Sequence, residues 1–137
     1  MRKSLVLVGL VLTYLACRSD TPEDQVRKAF EGCRAAVEAG DAVTATEPLD
    51  PAFRGPEGMD KAMARLFLLS TLRREKVGVG VLRNDVAVRG GEAHQEVDLI
   101  LTGRSGGLLP QDASRRVFRL HWRKRGGDWR LLEVQAL

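Results

Sequence analysis

The sequence predicts one α+β domain in which N-terminal helices pack on one face of an antiparallel sheet. Two observations carry that expectation. Apolar residues recur at helical spacing up to Leu72 and then alternate at strand spacing from Val77 onward. Gly90-Gly91 and Gly126-Gly127 punctuate the second half where hairpin turns belong. Helices first and a meander afterwards bury both apolar surfaces when the helices lie across one side of the sheet.

Thr21-Pro22-Glu23-Asp24 reads as a helix start, with Thr21 as cap and Pro22 in the first turn, where its missing N–H costs nothing. Val26, Phe30, Cys33 and Val37 then form one apolar face, and Gly40 supplies the stop. Asp41 caps a second, shorter helix running toward Glu47. Pro48, Pro51 and Pro56 are expected to keep the chain irregular until Asp60. A third helix follows, with Met63, Leu66, Phe67, Leu69 and Leu72 at its apolar positions. Val77, Val79 and Val81 alternate, and Val86 and Val88 alternate with opposite parity, a slip expected as a bulge or tight turn across Asn84-Asp85. Gly90-Gly91 turns into a strand carrying Val97, Leu99 and Leu101. A loop over 103–114 separates it from Phe118, Leu120 and Trp122, and Gly126-Gly127-Asp128 leads to the last strand over 129–136.

Ahead of the domain, Met1, Arg2 and Lys3 precede an apolar run over 5–15 that stops at Ala16-Cys17. This is the layout of a secretory signal, and the run is well short of the ~20 residues a helix needs to cross a bilayer. Leu15-Ala16-Cys17, with Tyr14 where leucine is usual, resembles the lipobox of bacterial lipoproteins, whose cysteine takes a diacylglyceryl group and becomes the new N-terminus. The resemblance implies a signal peptide over 1–16, a lipidated tether over 17–20 and a single domain over 21–137. It makes Cys17 the lipid attachment site and the cell envelope the location. Arg18 stands where an aspartate would signal inner-membrane retention, which favours the outer membrane. Several acyl chains anchor stably where one would exchange.

The chain carries 22 basic and 18 acidic residues. Without Arg2 and Lys3 the balance is nearly even, which argues against nucleic acid as a partner, as does export. Charge is nevertheless uneven: residues 17–72 hold 7 basic and 10 acidic side chains, residues 73–137 hold 13 and 8. After processing, Cys33 is the one remaining thiol, so core packing must hold the domain.

Three passages resemble the nuclear transport factor 2-like superfamily, in its polyketide-cyclase-like form. They are Glu38-Ala39-Gly40-Asp41-Ala42 with Leu49-Asp50-Pro51-Ala52-Phe53-Arg54, then Gly90-Gly91-Glu92-Ala93, and the closing Gly126-Gly127-Asp128-Trp129-Arg130-Leu131. The resemblance implies a cone, a curved sheet wrapped on the helices, with a pocket at its open end. It also implies sheets that pair into a homodimer. These motifs shape a fold and carry no chemistry. The tyrosine used by isomerase-like members has no counterpart, since Tyr14 lies in the signal segment.

Candidate sites follow from strand parity. Asp98 and His121 are the polar pair an acid–base enzyme would use, although alternation places both on the outward face. Phe30, Phe67, Leu99 and Trp122 are candidates to line the cone, or simply to fill it. Leu108 and Leu109 sit in the glycine-rich loop as candidate contacts with a ligand or partner. Arg115, Arg119 and Arg123 share odd positions with His121, a ladder suited to anions unless Glu96 and Asp98 on the preceding strand neutralise it. Cys33 reads as core. Gly78 and Gly80 lack the helix start and third glycine of a phosphate loop, and no spaced cluster predicts a metal or other cofactor. The functional expectation is a non-enzymatic lipoprotein whose cone binds an apolar ligand or a protein partner. The alternative is a small hydrolase, isomerase or dehydratase.

Overall fold

The structure is a computed structural model that describes residues 20–103 and 115–137. Its elements are α1 (Pro22–Glu38), α2 (Ala42–Thr46), β1 (Leu49–Arg54), a 3-10 turn (Pro56–Gly58), α3 (Lys61–Arg74), β2 (Gly78–Arg89), β3 (Glu92–Thr102), β4 (Arg115–Arg125) and β5 (Asp128–Ala136).

Each helix begins on the residue the sequence marks for it. Thr21 Oγ1 accepts from the Asp24 N–H at 3.2 Å, Asp41 Oδ1 from Thr44 at 3.0 Å and Asp60 Oδ1 from Met63 at 2.8 Å. Such caps contribute about 1 kcal/mol each by satisfying a donor the helix leaves open. Gly40 takes φ 75° just past the end of α1, a conformation that costs glycine little.

The sheet order is β1-β5-β4-β3-β2. Strands β2 to β5 form the expected antiparallel meander, but β1 runs parallel to β5, so the sheet is mixed. This corrects the expectation of irregular chain between Pro48 and Asp60. Pro51 is accommodated because β1 is an edge strand whose register shifts between Leu49 and Arg54, leaving Pro51 and Ala52 exposed where no ladder donor is needed. The parity slip in β2 is a bulge within one unbroken strand. It lies between Val81 and Arg83, earlier than Asn84-Asp85, and turns Asn84 inward opposite Val97. A second register shift, between His121 and Trp122, interrupts the pairing of β4 with β5. Both increase local bend and twist, as a curved sheet requires.

α1 crosses the sheet obliquely. Trp129 Nε1 on β5 donates to Gln25 Oε1 near its start (3.1 Å), and Arg34 Nη1 donates to the Val79 carbonyl on β2 nearer its end (3.2 Å). Val26 and Phe30 on its inner side join Val97, Leu99, Leu120, Trp122 and Leu131 of the sheet, with Leu49, Phe53 and Ala64 closing the side toward β1 and α3.

α3 departs from expectation. Its packing neighbours are α2 and β1, and Ala64 is its buried residue, whereas Met63, Leu66 and Phe67 are 54%, 66% and 56% exposed. Helical spacing identified the helix but not its inner stripe, because apolar side chains stand on more than one side of it.

Candidate functional site

On the outer sheet face the odd positions of β4 meet the even positions of β3, and each β4 arginine there finds a carboxylate. Arg115 donates twice to Asp98, from Nε at 3.1 Å and Nη2 at 2.6 Å. Arg119 lies 3.8 Å from Glu96 and Arg123 lies 3.6 Å from Glu92. Arg83 on β2 reaches Glu96 as well. The fork of Arg115 holds the Asp98 carboxyl below the usual carboxylate range through its hydrogen bonds and charge. Arg115, Arg119 and Arg123 are therefore locally neutralised.

His121 pairs across the strands with His94, their rings stacked at 4.6 Å, while Asp98 pairs with Val117. Four residues of strand separate Asp98 from His121, about 13 Å at the usual rise. The two do not form an acid–base pair, which corrects that candidate. Asp98 is also not solvated as alternation suggested. It is 8% exposed because Arg115 lies over it. His121 Nε2 is buried without a hydrogen-bond partner, 3.7 Å from Glu92.

Inside the cone, Phe30, Leu99 and Trp122 meet in the core, and Phe67 stands apart on the exposed side of α3, so these four do not line one pocket. The interior also holds a polar relay that sequence reading missed. Trp122 Nε1 donates to Gln95 Oε1 at 2.8 Å, and Gln95 Nε2 donates to Asn84 Oδ1 at 2.7 Å, with Trp122 and Gln95 essentially inaccessible. Its signal was present: Gln95 interrupts the inward series Ala93, Val97, Leu99, and a polar residue at a core position needs a partner. Burial pushes the Cys33 thiol up to about 11, so almost none is thiolate at neutral pH, in keeping with packing.

Among the described residues the open apolar surface is concentrated on α2, α3 and β2, with Leu137 exposed after β5. Val43 on α2, Met63, Leu66 and Phe67 on α3, and Val81 and Leu82 on β2 are all exposed. Val37, Leu72 and Val77 line one cleft between the ends of α1 and α3 and the approach to β2, so these elements are neighbours. Cys17, Leu108 and Leu109 lie outside the described residues. Among the described residues no group of three or more metal-ligating side chains converges.

This arrangement defines a nuclear transport factor 2-like, cystatin-like fold. A crystal structure of a nuclear transport factor 2-like protein with a cystatin-like fold from Novosphingobium aromaticivorans superposes with a TM-score of 0.68, at 15% identity over 82% of this chain and 79% of that one. A nuclear transport factor 2-like protein from Streptomyces avermitilis to which a dehydratase role has been ascribed gives 0.70, at 18% identity over 82% and 92%. A nuclear transport factor 2-like protein from Cytophaga hutchinsonii gives 0.68, at 13% identity over 86% and 100%. No protein-family model and no curated protein matches the sequence.

Proposed function

We propose that the protein is a lipid-anchored envelope lipoprotein, non-enzymatic, whose cone-shaped domain binds an apolar ligand or a protein partner on its helical side. The observation that carries the reading is the strip Met63, Leu66 and Phe67, three large apolar side chains more than half exposed on one short helix. Exposed apolar residues scattered singly need no explanation, but a contiguous strip is costly in water and marks a contact surface. The anchor rests on the lipobox-like Leu15-Ala16-Cys17.

A dehydratase, isomerase or hydrolase reading, as the Streptomyces neighbour suggests, needs an acid and a base within reach of one substrate. Asp98 and His121 do not supply it, since one is held by Arg115 and the other stacks on His94. Two measurements test the proposal. Cys17→Ser should abolish the mass increase from acylation and move the protein from membranes to the soluble fraction. Unmodified wild type in the soluble fraction would sink the anchor. Separately, the full chain should enhance the fluorescence of an apolar dye such as anilinonaphthalene sulfonate, and Leu66→Ser with Phe67→Ser should remove most of that signal. Undiminished dye binding in the double variant would place the contact surface elsewhere.

A further inference from the structure

Two clefts meet along the start of α3, one of about 550 Å³ and one of about 690 Å³, and Pro51, Lys61 and Arg65 line both. Lys61 and Arg65 thus form a ridge between them. Arg125 and Arg130 stand in the first cleft with Glu47, and Arg54 stands in the second with Asp60. Two of these five cations are answered by carboxylates. Arg125 Nε lies 2.8 Å from the inaccessible Asp50, and Arg130 Nη2 lies 3.9 Å from Asp128. The other three hold neutral oxygens only: Lys61 Nζ donates to the Leu49 carbonyl at 2.8 Å, Arg65 Nε to Thr46 Oγ1 at 3.0 Å and Arg54 Nη1 to the Phe53 carbonyl at 2.8 Å. Among the described residues no carboxylate oxygen comes within 4.0 Å of any of them.

The ridge is placed against local helix preference. Lys61 and Arg65 lie four residues apart, so like charges face each other across one turn. Lys61 is also the first residue of α3, where the helix dipole disfavours a cation, and the first turn holds no acidic residue, whereas α1 begins with Glu23 and Asp24. Both side chains are half-buried, which removes part of the water that would otherwise stabilise their charge. The arginine ladder shows the opposite arrangement, with a carboxylate opposite each guanidinium. Local rules broken together in this way are the mark of a site that a ligand completes.

We infer that the ridge is an anion site, and that it takes an aliphatic or polyol phosphate ester whose phosphate sits on Lys61 and Arg65 while its organic part lies in one of the two clefts. The charge of a phosphate monoester, about −1.5 to −2, matches the two half-buried cations, where a carboxylate would leave one of them unanswered. Arg65 supplies a planar fork and Lys61 a point charge, the two usual ways of holding phosphate oxygens. No aromatic side chain lines either cleft, so a nucleotide base would find no stacking platform. Neither the anchor at Cys17 nor the exposed apolar side chains of α3 enter into this site.

The test uses the full chain, purified in detergent and titrated calorimetrically at low salt with glycerol 3-phosphate, with glycerol as the uncharged control. A second arm uses mixed micelles that carry phosphatidylglycerol or, as control, phosphatidylcholine. The expected result is saturable binding of glycerol 3-phosphate and none of glycerol. Lys61→Gln with Arg65→Gln should weaken it about tenfold or more, and high salt should weaken it as well. Because Lys61 also ties α3 to β1, Arg65→Gln alone is the second variant; it leaves that link in place and should still cost about threefold, with an unchanged melting temperature showing that it is folded. Arg119→Gln with Arg123→Gln should leave binding as it is. Saturation by phosphatidylglycerol micelles without binding of free glycerol 3-phosphate, lost in the same variants, would support the site and assign the phosphate to a lipid headgroup. Absence of saturable binding in both arms by the folded wild type would overturn the inference. So would binding that survives undiminished in Arg65→Gln and in the double variant, or that is lost with Arg119 and Arg123 instead.

Discussion

The outer sheet face and the helical side of this domain treat their exposed residues in opposite ways. On β4, Arg115, Arg119 and Arg123 stand over Asp98, Glu96 and Glu92, so a surface rich in arginine presents little net charge. α3 carries no carboxylate of its own, and three large apolar side chains on it stand in water. A count of charges along the chain points to the first surface. Only the register and the packing reveal that the second is the one that leaves apolar side chains open.

The largest effect should come from the interior that supports both surfaces. Trp122→Ala removes a fully buried indole beneath α1 and should cost about 3–5 kcal/mol in a urea or guanidinium titration. A loss under 1 kcal/mol would mean the core closes over the gap far better than close packing allows. Gln95→Leu should cost about 1–3 kcal/mol, because it leaves the Trp122 Nε1 donor and the Asn84 acceptor without their partner. Neither change should alter dye binding by the folded protein, which sharpens the separation between scaffold and surface.

Acid should act on the sheet face through Asp98, and on the helices through Glu31 and Asp41, whose carboxyls Arg34 and Thr44 also hold low. The Asp98 carboxyl titrates below its ordinary value because Arg115 binds the ionised form. Its contribution is therefore complete above the unfolded value, about 3.9, and is lost as pH falls through the lower folded value. Asp98→Asn should flatten the acid limb of stability without changing the neutral plateau by the same proportion. An acid limb identical to wild type would show that Arg115 does not engage Asp98 in solution. Smaller still, Arg119→Gln with Arg123→Gln should shift stability by no more than about 1 kcal/mol, as for exposed pairs. A loss well above about 1 kcal/mol would mean that these pairs are less exposed than they stand here.

Much of the scaffold was legible in the sequence because its signals are local. Thr21, Asp41 and Asp60 mark helix starts, and the Gly-Gly pairs at 90–91 and 126–127 mark turns, by chemistry that acts within a few residues. The cross-strand neutralisation of the arginine ladder also followed from parity, given the right neighbour strand. What escaped depends on tertiary choice. Pro51 reads as a breaker unless its strand is known to be an edge, and Gln95 reads as a surface residue until the inward series is in register. In α3, the apolar positions around the helix offer more than one burying stripe, and packing against α2 and β1 selected the side bearing Ala64.

The contrast between the two faces is tested most directly by the thermal stability of the Leu66→Ser, Phe67→Ser double variant, measured beside its dye binding. Residues that already stand in solvent contribute little to the fold, so the melting temperature should change by no more than about 3 °C while dye binding is largely lost. A fall in melting temperature of about 10 °C or more would contradict this, since it would mean that Leu66 and Phe67 are buried in the folded protein and that the helical side is core, not contact surface.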